Sequence, residues 1–420
     1  MTNIRPFRAL RPSQESAAFV AALPYDVYSK TEARKYVKEH PYSFLRIDRP
    51  ETQFDEKTDM YASIVYQKAN ETFEIMQQEG TLIEDANPCY YIYELTKGCH
   101  RQTGLCACSS VEDYLAGVIK KHEKTRAKKE EDRTKHIDVL SAQTGPVLLI
   151  YRANPAIQKI LELEKKKSPI YDFTADDGVV HRVWSINNPL CVRKLTKMFE
   201  TVDHTYIADG HHRAASAVRV AKERAENNPH HMGNEEYNYF LSVLFADSDL
   251  GIEDYNRVIK DMNGHSRDEI LELIGERFTV QSSAERPVRP KEKGQMGFFL
   301  SDSDRVHGTW YRLQVKKEYT KKDPVGILDV EYLQREILKP VFGIEDPRSD
   351  DRIDFVGGIR GLDELEKRCH NDCICAFALY PTSMEELLAA ADADMLMPPK
   401  STWFEPKLRS GLFIHKIERF

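Results

Sequence analysis

Thr205-Tyr206-Ile207-Ala208-Asp209-Gly210-His211-His212-Arg213-Ala214-Ala215 is the stretch on which the reading of this chain turns. Thr205 to Ala208 reads as a short strand, and the Ala-rich run from Ala214 to Ala225 as a helix. Residues 209–213 therefore fall on a strand-to-helix turn. A Gly at such a turn lets backbone N–H groups point outward together. The first helical turn also carries unpaired donors and a partial positive charge, which favour an anion. Arg213 adds a donor fork suited to phosphate. His211 and His212 stand about 100° apart on a helix, so one can face an anion while the other packs. Asp209 is an odd neighbour for a bare phosphate. It makes sense if it orients Arg213, helps to hold Mg2+, or acts as a base. The plain alternative is an N-cap, with Asp209 capping the helix and the histidines on the surface.

Upstream, Ser29 and Glu32 have capping-box spacing and start a helix that runs to about Glu39. Residues 19–23 read as extended, residues 42–47 as a strand, and residues 58–78 as a long amphipathic helix closed by Gly80. Residues 90–95 and 105–108 flank Lys97-Gly98 as a hairpin whose loop is longer than the tightest type. Strands follow at 146–151, 180–186 and 237–245, with helices at 156–165 and 190–199. Around Asp254 to Arg257 the texture changes to shorter helices and strands. The organisation expected is a first domain over residues 1–255 and a C-terminal α+β domain over residues 256–420.

The chain has 420 residues, with 41% hydrophobic and 30% charged, enough for a sizeable core. Lys+Arg 60 against Asp+Glu 67 gives a net charge of -7, which argues against a globally basic nucleic-acid binder. No apolar run approaches the roughly 18 residues of a membrane span, and the first residues lack the apolar core of a signal peptide. A cytoplasmic protein is expected, and a homo-oligomer stays open. The eight cysteines are expected to be reduced. Cys106-Ala107-Cys108 and Cys373-Ile374-Cys375 lack the Cys-x2-Cys spacing of zinc ribbons and fit strands, where residues i and i+2 share a face.

Three further stretches carry candidate chemistry. In Pro24-Tyr25-Asp26-Val27, a carboxylate follows a Pro at a strand end, where it either enters a cleft or sits in an ordinary turn. The charged run Lys120 to Arg133 is either a solvated face or a segment whose His122, Glu123, Thr125 and Arg133 reach a charged substrate. The Pro-rich, aromatic stretch Met397 to Leu412 is either an ordered functional loop or a packing element. A P-loop, a Gly-x-Gly-x-x-Gly fingerprint, a Gly-x-Ser-x-Gly elbow and a His-Glu-x-x-His motif are all absent.

With its leading Asp, the turn at residues 209–213 resembles the phosphate-binding loop of the free serine kinases of the ParB/sulfiredoxin superfamily. Nearly the whole chain resembles a family of uncharacterised bacterial and archaeal proteins related to those kinases. The matching stretches are residues 4–10, 23–27, 41–46, 122–125, 132–133, 209–213 and 397–411. The resemblance implies an α+β fold with a ParB/sulfiredoxin-like core, an inserted segment at about 51–200 and the C-terminal domain. It implies phosphoryl transfer from ATP or ADP, with Mg2+, to a small hydroxyl-bearing metabolite, foremost free L-serine. Asp26 matches the activating carboxylate, which is Glu in the kinases, and Asp209 joins it as a catalytic group. Gly210, His211, His212 and Arg213 match the nucleotide phosphate site. His122, Glu123, Thr125 and Arg133 would contact the acceptor. The alternatives are a ParB-type nucleotide switch without metabolite kinase activity, and a phosphatase or phosphotransferase with a nucleophilic His211 or His212.

Overall fold

The computed structural model describes residues 1–316 and 321–418, and its principal strands form one large mixed sheet and a separate antiparallel sheet. The described residues divide into two units. The first comprises Met1–Lys120, Thr125–Leu250 and the chain from Pro406 onward; the second comprises Lys121–Lys124 and Gly251–Glu405.

The sheet of the first unit is built on β1 (Ile4–Arg5), β2 (Tyr90–Lys97), β3 (His100–Ser110), β4 (Ile119–Lys120), β5 (Val147–Tyr151), β6 (Tyr171–Thr174), β7 (Val180–Ile186), β8 (Thr205–Asp209) and β9 (Tyr239–Ala246). Its order is β4-β8-β5-β9-β3-β2-β7-β6, with β1 pairing β3. β8 is parallel to β4, and β9 to β5; the other pairs are antiparallel. The central strands are buried on both faces, as their continuous apolar runs require. The helices of this unit include α1 (Lys30–Glu39), α2 (Ser63–Gln78), α3 (Ala127–Leu140), α4 (Pro189–Phe199) and α5 (His211–Asn227). In α5, Ala214, Ala217 and Ala221 join the core. Their small side chains let the backbone of α5 come close to α3, where the Ser216 hydroxyl donates to the Glu130 carbonyl at 2.9 Å.

The expected capping box is present: Ser29 Oγ accepts from the Glu32 amide, and the Glu32 carboxylate accepts from the Ser29 amide. Three local expectations are corrected. Residues 42–47 do not form a strand: Leu45–Asp48 is a helical turn. Phe44, Leu45 and Ile47 are all fully buried, which one helical turn achieves and an alternating strand does not. In residues 19–23 only the end is extended, because Ala17–Val20 is helical and Ala22 bridges to Ser410. In the hairpin, Lys97 pairs with His100 across a two-residue loop with Gly98 at φ 58°. The polar ends of both strands extend the pairing beyond the apolar run, so the loop is the tight type.

The second unit carries a 6-stranded antiparallel sheet whose central strands are Tyr255–Ile259, Gln295–Ser301 and Cys375–Leu379. Its core gathers Ile259, Phe298, Leu313, Phe342 and Phe377. Cys106, Cys108 and Cys375 are free thiols, and burial pushes all three well above the usual thiol range. Among the described residues no helix is long and apolar enough to cross a membrane.

Candidate functional site

β8 runs to Asp209, with a register shift against β5 between Ile207 and Asp209. Gly210 follows at φ 95°, in the left-handed region, and α5 begins at His211. The Arg213 guanidinium folds back over this turn. Its Nη2 donates to Asp209 Oδ2 at 2.8 Å, and its Nη1 donates to the Pro146 carbonyl. A Cβ added to Gly210 would lie 2.9 Å from Arg213 Nε and 3.0 Å from Cζ and Nη2. Glycine is thus required here both by the backbone conformation and by the cation above it. Lys407, arriving from the C-terminal stretch, places Nζ 3.6 Å from the other Asp209 oxygen and is only 9% exposed. Two cations therefore converge on one carboxylate at the N-terminus of α5.

A cleft in the same unit is lined by Tyr25, Arg133, Thr144, Gly145, Arg213 and Ser410. Arg133 projects from α3 and is 7% exposed. It donates to Asp132 Oδ2 from Nε at 2.9 Å and to the Asp48 carbonyl from Nη1 at 3.2 Å, and its guanidinium lies 4.3 Å from the Tyr25 ring centroid. Burial pushes the Asp132 carboxyl up, but Arg133, the Tyr66 hydroxyl and His136 more than offset this and hold it below its ordinary value. Burial, reinforced by the charge of Arg133, lowers His136 to about 4. The Tyr25 phenol is raised, chiefly by burial and then by the charge of Asp26, while Arg133 and Arg213 oppose the shift. Asp26, Arg133 and Arg213 thus all act electrostatically on the Tyr25 phenol. Asp26 itself is exposed.

The candidate residues separate as follows. Asp26, Thr125, Arg133, Asp209, Gly210, His211, His212 and Arg213 belong to the first unit. The Thr125 hydroxyl donates to Glu130 Oε2 at 2.7 Å, across the start of α3. His212 Nε2 accepts the Arg126 amide at 2.9 Å, so that nitrogen carries no proton. His211 is buried. His122 and Glu123 group with the second unit, where the His122 carbonyl accepts from the Met397 amide at 2.8 Å and Glu123 acts electrostatically on Arg257 and Arg348. Two residues given no role from sequence, Tyr25 and Lys407, sit among the charged groups of the first unit. Tyr25 could have been found as the neighbour of Asp26. Lys407 gave no signal beyond its place in an unusual Pro- and aromatic-rich stretch.

A family model described as a protein of unknown function (DUF1015) matches residues 4–331. The chain belongs to this family. The DUF1015 match includes Asp26, Arg133 and the turn at residues 209–213, and it ends before Lys407. No curated protein matches the chain. Among solved structures, a free serine kinase variant in complex with AMP is similar at 14% identity and a TM-score of 0.38, covering 75% of this chain and 92% of its own. A conserved hypothetical protein from Pyrococcus furiosus is similar at 15% identity and a TM-score of 0.35, covering 76% and 96%. SbnI with a C-terminal truncation, from Staphylococcus aureus, is similar at 11% identity and a TM-score of 0.37, covering 73% and 85%. Likenesses this distant carry no argument about activity.

Proposed function

We propose that this protein is a small-molecule kinase with a ParB/sulfiredoxin-like core, transferring a phosphoryl group from ATP or ADP to the hydroxyl of free L-serine to give O-phosphoserine. The observation that carries the reading is the turn at residues 209–213. A left-handed Gly210 opens the N-terminus of α5, and Arg213 and Lys407 both stand at Asp209. Helix N-termini with converging cations favour phosphate. The motif resemblance of the turn to the phosphate loop of the free serine kinases supports the same assignment.

In this reading the α5 amides and Arg213 bind the nucleotide phosphates, and Asp209 keeps Arg213 aimed. Asp26 orients the acceptor hydroxyl and takes its proton as the new O–P bond forms and the bond to the leaving phosphate breaks. Arg133 contributes positive charge to the wall of the acceptor cleft. The donor set fits a nucleotide. Asp209 is already engaged by Arg213 and faces Lys407, so Mg2+ would be held mainly by phosphate oxygens, with Asp209 the one carboxylate of the turn. When bound, Mg2+ neutralises charge on the transferring group. A histidine nucleophile is disfavoured, because His212 Nε2 is taken by the Arg126 amide and His211 is buried.

The test is the full-length chain with ATP or ADP, Mg2+ and a panel of small hydroxyl metabolites, with products read by mass spectrometry. Nucleotide-dependent formation of O-phosphoserine is the expected result. Nucleotide binding without transfer to any acceptor would refute the kinase and favour a nucleotide-responsive switch.

A further inference from the structure

Asp26 is an exposed carboxylate on a short turn, and such side chains are ordinarily mobile. Here the turn is fixed from below. Arg49 Nη1 donates to two carbonyls that bracket Asp26 and Val27: Tyr25 O at 2.9 Å and Tyr28 O at 3.1 Å. Within the turn, the Val27 amide donates to the Pro24 carbonyl at 3.1 Å. The flanking rings are also held. Tyr25 lies under Arg133 at 4.3 Å, and Tyr28 packs on Tyr36 with centroids 5.2 Å apart. Arg49 is 8% exposed and is itself held by Glu51, 2% exposed, through Nε to Oε1 at 2.6 Å.

A buried ion pair is a poor way to gain stability. Desolvating both charges costs about as much as their attraction returns, and apolar replacements of similar volume are often neutral or better. This pair supplies something an apolar pair cannot: a planar cation that ties two carbonyls to one point. Its seat matters as well. Arg49 joins the helical turn Leu45–Asp48 to the 3-10 turn Pro50–Gln53, and the adjacent Asp48 carbonyl accepts from Arg133. One short segment thus fixes both the Asp26 turn and the Arg133 guanidinium.

We infer that Arg49, oriented by Glu51, is a positioning residue that holds the Asp26 carboxylate in line with the acceptor hydroxyl; the inference rests on the kinase reading above. Arg49 does not line the cleft and acts through the backbone of the turn. Misplacing a reacting group by about 1 Å can cost on the order of 100-fold in rate.

The test uses the full-length Arg49→Met/Glu51→Leu double variant, which removes both charges together. Its thermal midpoint should stay near that of the wild type. Exchange of the Val27 amide, which donates to the Pro24 carbonyl, should speed up by about tenfold, the equivalent of one lost hydrogen bond, while the amides of α1 stay unchanged. The kcat for phosphoryl transfer should fall about 10- to 100-fold with the nucleotide KM within about twofold. Arg49→Lys keeps the charge beside Glu51 without the planar fork, so it should show intermediate exchange and kcat; it also serves as the test if the double variant does not fold. Unchanged exchange in the turn, or a wild-type kcat despite faster exchange, would overturn the positioning role. A wild-type chain that turns over no acceptor would overturn the kinase reading instead, and the exchange comparison would still decide whether Arg49 holds the turn.

Discussion

Substituting Gly210 by Ala perturbs the candidate phosphate site without removing a charged group. The added Cβ would stand 2.9–3.0 Å from three atoms of the Arg213 guanidinium, closer than real Cβ contacts. It would also force an L-residue to hold φ 95°. The left-handed conformation costs roughly 1–2 kcal/mol for a residue with a Cβ. The guanidinium has to shift, which loosens a charge-assisted bond to Asp209 worth about 1.5–3 kcal/mol. Stability should therefore fall by about 2–4 kcal/mol, allowing for partial relaxation. If Arg213 binds nucleotide phosphate, its displacement should weaken affinity by a comparable 1.5–3 kcal/mol, or about 10- to 100-fold in Kd. The assay is calorimetric titration of ADP into the folded variants, beside denaturant unfolding of each. Arg213→Ala alone should weaken binding by a similar factor. Because the clash is with Arg213, adding Gly210→Ala to Arg213→Ala should weaken binding little further. Full additivity of the two affinity losses, or unchanged affinity in a folded Gly210→Ala variant, would refute the placement of Arg213 at the phosphates.

Three further outcomes are expected. Asp26→Asn should keep the fold and the nucleotide affinity but lower phosphoryl transfer by about 100-fold or more, with partial activity in Asp26→Glu; steady-state kinetics of the three chains checks this. Lys407→Met should weaken ADP binding by several-fold while leaving far-UV circular dichroism unchanged, because it removes one of the two cations at Asp209. On acidification, stability should decline from about pH 6.5, the unfolded value for His, towards pH 4. Burial lowers His136 to about 4 and His181 to about 3, so over this window the unfolded chain binds protons that the folded chain does not. Their stabilising contribution is complete above pH 6.5 and is lost as pH falls through the folded values; urea midpoints at pH 7, 6 and 5 should fall in order, and less steeply in His136→Gln.

The strand, the turn and the Ala-rich helix around Gly210 were legible because their signals are local: a Gly where the chain reverses, and small residues where two helices approach. The capping box at Ser29 was legible for the same reason. The charged run from Lys120 was harder. Its composition fits a solvated face, yet α3 turns Asp132, Arg133 and His136 inward, and only the Tyr66, Asp48 and Ile47 partners make that burial affordable. Residues 42–47 misled because an apolar run this short reads as a strand or a helical turn until the burial of Phe44, Leu45 and Ile47 is known. Lys407 lay beyond sequence reasoning, since its partner Asp209 is fixed by tertiary pairing alone.

The return of the chain at Pro406 ties the order of synthesis to the order of assembly. Ser410 and Ala22 exchange both amide bonds, Gly411 donates to the Thr144 carbonyl, Ile414 and Leu10 exchange both amide bonds, and Ile417 donates to the Ser141 carbonyl. Arg409, 4% exposed, reaches Asp177 at 2.6 Å. A ribosome that has just released the second unit has therefore not yet supplied these partners to the first. Chains ending anywhere in the second unit would keep Asp26, Arg133 and the turn at residues 209–213 but would lack Lys407 and these backbone pairings, so they would carry the phosphate turn with one of its two cations missing.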